Sequence, residues 1–360
     1  MSHYTEVCET MVSRLKEADR TRELDNFHTV ITNDFSFDRL VYLNEFKDFT
    51  EKARVVLSHG GGVMPDSRQS LNQGGCAANT ATALANFGIP TSFIGRTDEL
   101  GFHLMKFYLE KRGVDISHVK TDGSLALMTG FEIGEKKYNI MINDGESHGG
   151  FGFDDLTGED RGLIQSADLV GVFDWTLNQK GTDLSGRLLD FLEGYSCVTY
   201  LDTSDPTSRK DEIPELFTRV LSRKNLSHLN LNENELKHYT GAPHNPEHCS
   251  ECTDLAVDMK SRISAVLNIH TSRFALSVEN DTAVFPTFQL KPLRTTGAGD
   301  SWNGGNILGI LLGCEPLERL LLANATAAFY VVSETGTRPN LVELAQFIES
   351  NKDNLHTIEK

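Results

Sequence analysis

Basic residues are in short supply: 34 Lys and Arg against 51 Asp and Glu give the 360-residue chain a formal net charge of −17. That balance argues against a nucleic-acid backbone or an anionic membrane surface as partner, because both need clustered positive charge. It leaves room for an anionic substrate held by a few local donors, and it favours a metal ion to neutralise any polyphosphate. Long apolar runs are absent as well. None reaches the roughly 18 residues of a membrane span, and the opening stretch MSHYTEVCETMVSRLKEADRTREL is charged, with no apolar signal core. The six cysteines are scattered and form no disulfide framework. These absences together predict a cytoplasmic protein. The remaining composition, 39% hydrophobic and 24% charged with ten prolines, is ordinary for a globular chain, and the length allows one large α/β domain or a domain with an appendage.

One cysteine pair has metal-like spacing. In PHNPEHCSECTD, His244, His248, Cys249 and Cys252 crowd together. No second Cys-x-x-Cys completes a zinc set, and the segment falls between two predicted helices, so it reads as a surface loop with incidental thiols.

Residues 2–27 predict an amphipathic helix, with Tyr4, Val7, Met11 and Leu15 on one stripe, suited to packing or an oligomer contact. HTVITND, from His28, reads as the first strand. The segment from Arg39 to Gln73 reads as strands and loops. GGCAANTATALANFG gives a loop, a helix of small residues and a glycine stop at Gly88. TSFIG is a short strand, and a helix follows from Leu100 to Arg112. LALMTGFEIGEKKYNIMIND alternates around a Gly-Glu-Lys turn, the pattern of a hairpin or small sheet. From Leu156 onward strand-like runs (ADLVGVF, CVTYLD, LSHLNL, AVLNI, FALSV) alternate with helical ones, and ERLLLANATAAFYVVSE is a long helix near the C-terminus. Apolar runs of this length between helices predict a mostly parallel sheet covered on both faces. The expected architecture is a helical segment over 1–27 and one α/β domain over 28–350, with two β-rich excursions near 40–72 and 117–146.

RTTGAGDSWNGG places Asp300 behind Gly297, Ala298 and Gly299 and just ahead of an apolar run. Small residues let the backbone approach a ligand with its N–H groups inward, and a helix beginning there adds its positive end. Such a cradle suits phosphate oxygens. A carboxylate in the same place suits a base that deprotonates a hydroxyl while the cradle holds the phosphoryl group under attack. A plain glycine turn with an aspartate N-cap fits the motif equally well. There is no GxxxxGK[ST], and no GxGxxG follows the first strand, so a dinucleotide-dependent oxidoreductase lacks its fingerprint.

TTGAGDSWNGGNILGILLG resembles the C-terminal signature D-T-x-G-A-G-D of the ribokinase-like (PfkB) carbohydrate kinases. GGCAANTATALANFGIPTSFIGRTDELG resembles the family's upstream signature, and LNLNENELKHYTG its N-x-x-E segment. The three stand in order between about His28 and Phe347. The resemblance implies a ribokinase-like fold with a small β-sheet lid, and ATP-dependent phosphorylation of a hydroxyl on a sugar, sugar acid, polyol or nucleoside. It implies Asp300 as general base and the N–H groups around Gly297, Ala298 and Gly299 as the anion hole. Asp38, Gly74, Gly75 and Asn79 match the acceptor site. Asn232 and Glu235 match the pair that positions Mg²⁺ through water, although an N-cap with its capping-box partner accounts for them too. Thr271, Ser272, Thr296 and Asn324 fall in the nucleotide region. Asp98 and Gly101 read as a loop and helix start. A lid that excludes water limits wasteful ATP hydrolysis, and in some members it also forms a homodimer.

The chain departs from the pattern in three places. Arg294 stands where the signature begins with aspartate, in a region that holds potassium in cation-activated members, which argues against dependence on a monovalent cation. IHTSRFALSV replaces the family's T-x-G-x-x-G loop, and Asn33 ends the first strand where glycine is frequent. A non-catalytic, ligand-binding relative of the sugar kinases is the competing reading. Trp175, in GVFDWTLNQ, either stacks on an acceptor or fills the core.

Overall fold

The computed structural model describes residues 3–64, 67–134, 138–144, 150–246 and 248–358. In chain order its strands are β1 (Thr29–Asn33), β2 (Ser36–Leu43), β3 (Arg68–Gly74), β4 (Thr91–Gly95), β5 (Val114–Asp115), β6 (Ala126–Ile133), β7 (Tyr138–Asn143), β8 (Leu169–Phe173), β9 (Val198–Asp202), β10 (His228–Asn232), β11 (Val266–His270), β12 (Phe274–Val278) and β13 (Thr282–Pro286). Its helices are α1 (His3–Thr21), α2 (Phe46–Ser58), α3 (Cys76–Asn86), α4 (Glu99–Tyr108), α5 (Gly158–Ser166), α6 (Gly181–Phe191), α7 (Ile213–Leu216), α8 (Glu233–Thr240), α9 (Cys249–Lys260), α10 (Ala298–Leu311), α11 (Pro316–Val332) and α12 (Leu341–Asn351).

Nine strands form one sheet in the order β13-β12-β11-β10-β9-β8-β1-β4-β5. It is parallel from β11 to β5, with β12 and β13 added antiparallel at one edge. β1 and β8 are buried along their whole length, because helices cover both faces, which is why these strands read as continuous apolar runs. One layer packs α1, α3, α10, α11 and α12 around Leu15, Ile31, Phe93 and Leu308; the other packs α5, α6, α8 and α9 around Val30, Leu201, Leu231 and Met259. Cys8, Met11 and Leu15 of α1 are buried in the first layer, so this helix is part of the core. Among the described residues no helix is long and apolar enough to cross a membrane.

A second sheet, β3-β2-β6-β7, stands over the C-terminal ends of the parallel strands and carries the two β-rich excursions. Its first strand begins at Ser36, and α2 occupies much of the stretch read as strands and loops. That helix buries none of its residues; Phe46 and Phe49 stack at 6.0 Å, and Phe49 meets Phe131 of β6 at 5.3 Å. The anticipated Gly-Glu-Lys turn, at residues 134–136, and the end of the second excursion lie partly outside the described residues. One face of the sheet turns Asp38, Met128, Asn139, Met141 and Asn143 toward a cleft, while Leu71, Leu127, Ile140 and Ile142 on the other are exposed.

The His-Cys segment corrects the expectation of a loop with incidental thiols. Cys249 opens α9, and Cys252 is fully buried against the second layer. Among the described residues no set of three or more His, Cys, Asp or Glu side chains could hold a metal. Trp175 is a core residue: it is wholly buried, its Nε1 donates to Thr182 Oγ1 at 2.8 Å, and Arg209 lies over its ring.

Candidate active site

Two clefts open where the lid sheet meets the strand ends. One, of about 580 Å³, is lined by Asp38, Gly75, Asn79, Asp174 and Asp300 among others. The other, of about 720 Å³, is lined by Asn232, His270, Thr271, Ser272, Trp302 and Asn324 among others. They share Asn139 and Thr295, so the loop running into α10 is the wall between them: Thr296, Gly297 and Asp300 face the first, Ala298 and Gly299 the second. A larger cavity of about 960 Å³ lies between Tyr4, Cys249, Pro286 and His356, away from this loop.

The wall loop is fixed from behind. Gly297 has φ +86°, and a Cβ there would come within 2.7 Å of the Tyr330 hydroxyl, so only glycine fits. Tyr330 donates to Thr296 O at 2.8 Å. Arg294, itself buried, donates to Ser333 O at 3.1 Å and Glu334 O at 2.7 Å. Arg338 is also buried; it donates to Ser301 Oγ at 3.1 Å and lies over the Tyr330 ring. The Ala298 amide is turned to Thr295 O at 3.1 Å, which leaves the remaining first-turn amides of α10, with the helix dipole behind them, as anion donors.

Asp300 sits in the first turn of α10 and accepts a hydrogen bond from Asn79 Nδ2 at 2.7 Å. Burial pushes its carboxyl up to about 7, against the lowering influence of Arg338 and Asn79; Asp202 and Asp34 push it further up. A carboxyl group with that proton affinity is divided between its ionised and protonated forms near neutral pH and is well matched to taking a proton there, which suits a general base. The rest of α10 is locked to the sheet by buried polar contacts. Asn303 Nδ2 and Asn230 Nδ2 both donate to Asp202 Oδ2, Tyr200 Oη donates to Asn303 Oδ1, and Trp302 Nε1 donates to Asn324 Oδ1. Asn324 is therefore committed to Trp302 and to the carbonyls of Phe285 and Pro286, while its side of α11 still borders the second cleft.

The glycine pair before α3 has a steric reason. A Cβ on Gly74 would lie 1.9 Å from Asp38 Oδ1, and Gly75, at φ +91°, would meet Asp34 O at 2.6 Å. Asp34 accepts from the amides of Cys76 and Ala77, capping α3. Asp38 is buried, accepts from Ser36 Oγ at 2.7 Å, and is pushed up to about 6 by burial. Beneath it, Asn33 (φ 125°), Asp174 (φ 54°) and Ser204 (φ 57°) adopt left-handed backbone at the ends of β1, β8 and β9. Asn33 holds that conformation through Nδ2 bonds to Phe173 O and Asp174 O, which explains how it serves where glycine is frequent. Strain of this kind, concentrated on one cleft floor, is characteristic of ligand sites.

On the other side, Asn232 and Glu235 form a capping box. Asn232 Oδ1 accepts from the amides of Asn234 and Glu235, and Glu235 accepts from Asn232 N and Nδ2. Glu235 is buried behind the turn; the residues at the cleft are Asn232, Glu233 and Asn234. Thr271 Oγ1 closes the β11–β12 turn by bonding Phe274 O and the amides of Arg273 and Phe274, and Ser272 O accepts from Thr287. Asp98 caps α4 through Gly101 N, matching the loop and helix start read there.

Sequence reading missed Asp174, Asn139, His270, Trp302, Tyr330 and Arg338. His270 and Trp302 stack at 5.3 Å beside Gly299, and burial pushes the imidazole down to about 4, so it is neutral. Trp302 stands two residues after the glycine-framed aspartate, which was a usable signal; Tyr330 and Arg338 lie within a helix and a loop with no motif to mark them.

Comparison with known proteins bears on the family and the fold. The family model described as pfkB family carbohydrate kinase matches residues 37–343. A 5-dehydro-2-deoxygluconokinase of Geobacillus kaustophilus (strain HTA426) is 25% identical over 295 residues, covering 78% of this chain and 85% of the relative. The uncharacterized sugar kinase YegV of Escherichia coli (strain K12) is 26% identical over 278 residues, covering 73% and 79%. Among solved structures, Arabidopsis thaliana ribokinase complexed with ribose and ATP superposes with a TM-score of 0.70 at 16% identity, over 90% of this chain and 98% of that one. A 2-dehydro-3-deoxygluconokinase of Thermotoga maritima gives 0.71 at 13% identity, over 90% and 100%. With more than four-fifths of its length matched and its fold shared, the chain belongs to the pfkB family of carbohydrate kinases, phosphotransferases built on the ribokinase-like fold.

Proposed function

We propose that the protein transfers the γ-phosphoryl group of ATP to a hydroxyl of a sugar-like acceptor, with Asp300 as the general base. The observation that carries this reading is the position of Asp300 on the wall common to both clefts, its carboxyl raised to about 7. The acceptor lies over Asp38, Gly75 and Asn79, under the lid sheet. The nucleotide lies in the second cleft, its base against Phe288, Leu290 and Val331, with Thr271 and Ser272 alongside. Asp300 takes the proton of the attacking hydroxyl. The amides of the wall loop and the N-terminus of α10 hold the phosphoryl oxygens, and Thr296 and Gly297 keep that loop in register. Orientation and fixed dipoles of this kind supply most of the acceleration in phosphoryl transfer.

Mg²⁺ comes with the nucleotide and neutralises its phosphates. Glu233 would offer such an ion a hard oxygen ligand through its water shell, while Asn232, whose Oδ1 already accepts two amides, and Glu235 hold the turn that presents it. Arg294 supplies a permanent positive charge behind the wall loop, so no monovalent cation is needed. The exposed apolar face of the lid, Leu71, Leu127 and Ile142, is the contact for a second copy. The test is acceptor-dependent ADP release across sugars, polyols and nucleosides with Mg²⁺ present or chelated. ADP release that requires both acceptor and Mg²⁺, and is unchanged when potassium replaces sodium, supports the reading. Absence of any acceptor-stimulated turnover rejects it.

A further inference from the structure

The acceptor cleft carries an unusual charge balance. Asp34, Asp38, Asp174, Asp205 and Asp300 all line it, and among the described residues no Lys, Arg or His does. The nearest guanidinium groups are committed elsewhere. Arg209 pairs with Glu212 and donates to the carbonyls of Trp175 and Asn178. Arg338 lies behind α10, on Ser301 and Tyr330. Burial, with Asp34 and Asp202 nearby, pushes Asp174 well above the ordinary carboxylate range, a sign that the cleft already resists further negative charge. The other polar groups there, among them Asn79, Asn139, Thr176 and Ser204, are neutral.

A carboxylate on the acceptor would enter this field with no cation among the described lining residues to meet it. Recognition of carboxylates relies on bidentate guanidinium or ammonium partners. Hydroxyl groups, by contrast, donate to carboxylates and accept from amides. We infer that the acceptor is an uncharged polyhydroxy compound, and that the cleft rejects sugar acids even though relatives of this chain are named 5-dehydro-2-deoxygluconokinase. The inference rests on the kinase reading for the identity of the cleft.

The test compares open-chain pairs that differ at one carbon, hydroxymethyl against carboxylate, such as glucitol with gluconate and ribitol with ribonate, with glucose and ribose as further uncharged members. Both binding by calorimetry and ATP-dependent turnover are measured on the full chain. An uncharged member of the panel should bind at least about 100-fold more tightly than its acid. The discrimination should narrow about tenfold in Asp205→Asn, which removes another carboxyl group lining the cleft. In the unsubstituted protein it should also narrow at pH 5, where Asp38, faced by Asp34, Asp174, Asp205 and Asp300, gains a proton while the sugar acid stays ionised. A sugar acid bound or phosphorylated as well as its uncharged partner overturns the inference and leaves the kinase reading standing. So does failure of every uncharged member to bind. Binding of the uncharged member with no turnover at all would instead reject the kinase reading and leave the charge selectivity intact.

Discussion

Asn79 Nδ2 lies 2.7 Å from Asp300 Oδ2, tying the helix after the glycine pair to the helix after the wall loop. The two residues are 221 positions apart, and each belongs to a different signature of the chain. Their bond joins the acceptor side of the site to the group that acts on it, and it favours the ionised carboxylate.

Removing that bond should therefore change the pH dependence of the reaction. Asp300 is active when deprotonated, so kcat/KM should fall below a midpoint near pH 7 and level off above it. In Asn79→Ala the carboxyl loses a favourable donor, its proton affinity rises, and the acid limb should move to higher pH. A pH–rate profile of the two proteins checks this. The variant should also be less stable by about 1–3 kcal/mol, because a buried acceptor loses its partner.

The glycine pair should separate acceptor binding from nucleotide binding. In Gly74→Ala the new methyl group collides with the Asp38 carboxylate, so acceptor KM should rise at least about tenfold, the range of a buried charged hydrogen bond displaced. Nucleotide affinity should be unchanged, since the new methyl group meets only Asp38, which lines the acceptor cleft and not the other. Gly75→Ala meets backbone atoms of Asp34 and Phe35 at a left-handed φ, and it should lower the melting temperature instead. Titration calorimetry with each ligand, beside thermal melts, distinguishes the two effects.

Tyr330 and Arg338 should act on the rate without touching substrate. Tyr330→Phe loses the bond to Thr296 O and loosens the wall loop, so kcat should fall while both KM values hold. Arg338→Gln removes the leading influence that lowers the proton affinity of Asp300. Its acid limb should shift to higher pH, as in Asn79→Ala, whereas that of Tyr330→Phe should stay in place. Steady-state kinetics between pH 5.5 and 9 test both.

Much of this was legible in the sequence, for reasons that differ by element. The parallel sheet showed itself because strands such as LVGVF are buried on both faces and read as unbroken apolar runs. The glycine pair and the glycine-framed Asp300 showed themselves because close backbone approach admits no side chain, leaving a composition that few other contexts produce. α2 was passed over although FKDFTEKARVVLS spaces Phe46, Phe49, Ala53 and Val56 as a helix does; what the sequence does not show is that this helix buries none of its residues. The capping box at Asn232 and Glu235 was visible as a pattern, but spacing could not tell that Glu235 turns behind the cleft while Glu233 faces it. The partners that tune Asp300 were invisible for another reason. Arg338 and Asp202 reach it only through the packing of a loop and β9, and long-range packing leaves no local trace in a chain.

The most direct measurement is the single-turnover rate of phosphoryl transfer in Asp300→Asn, with acceptor and nucleotide saturating. The account predicts a loss of about 10²–10⁴, with nucleotide affinity retained. It also predicts a melting temperature no lower than that of the unsubstituted protein, because the change removes a carboxylate whose burial opposes its charge. A variant that binds both substrates and still transfers phosphate at more than a tenth of the original rate would contradict it.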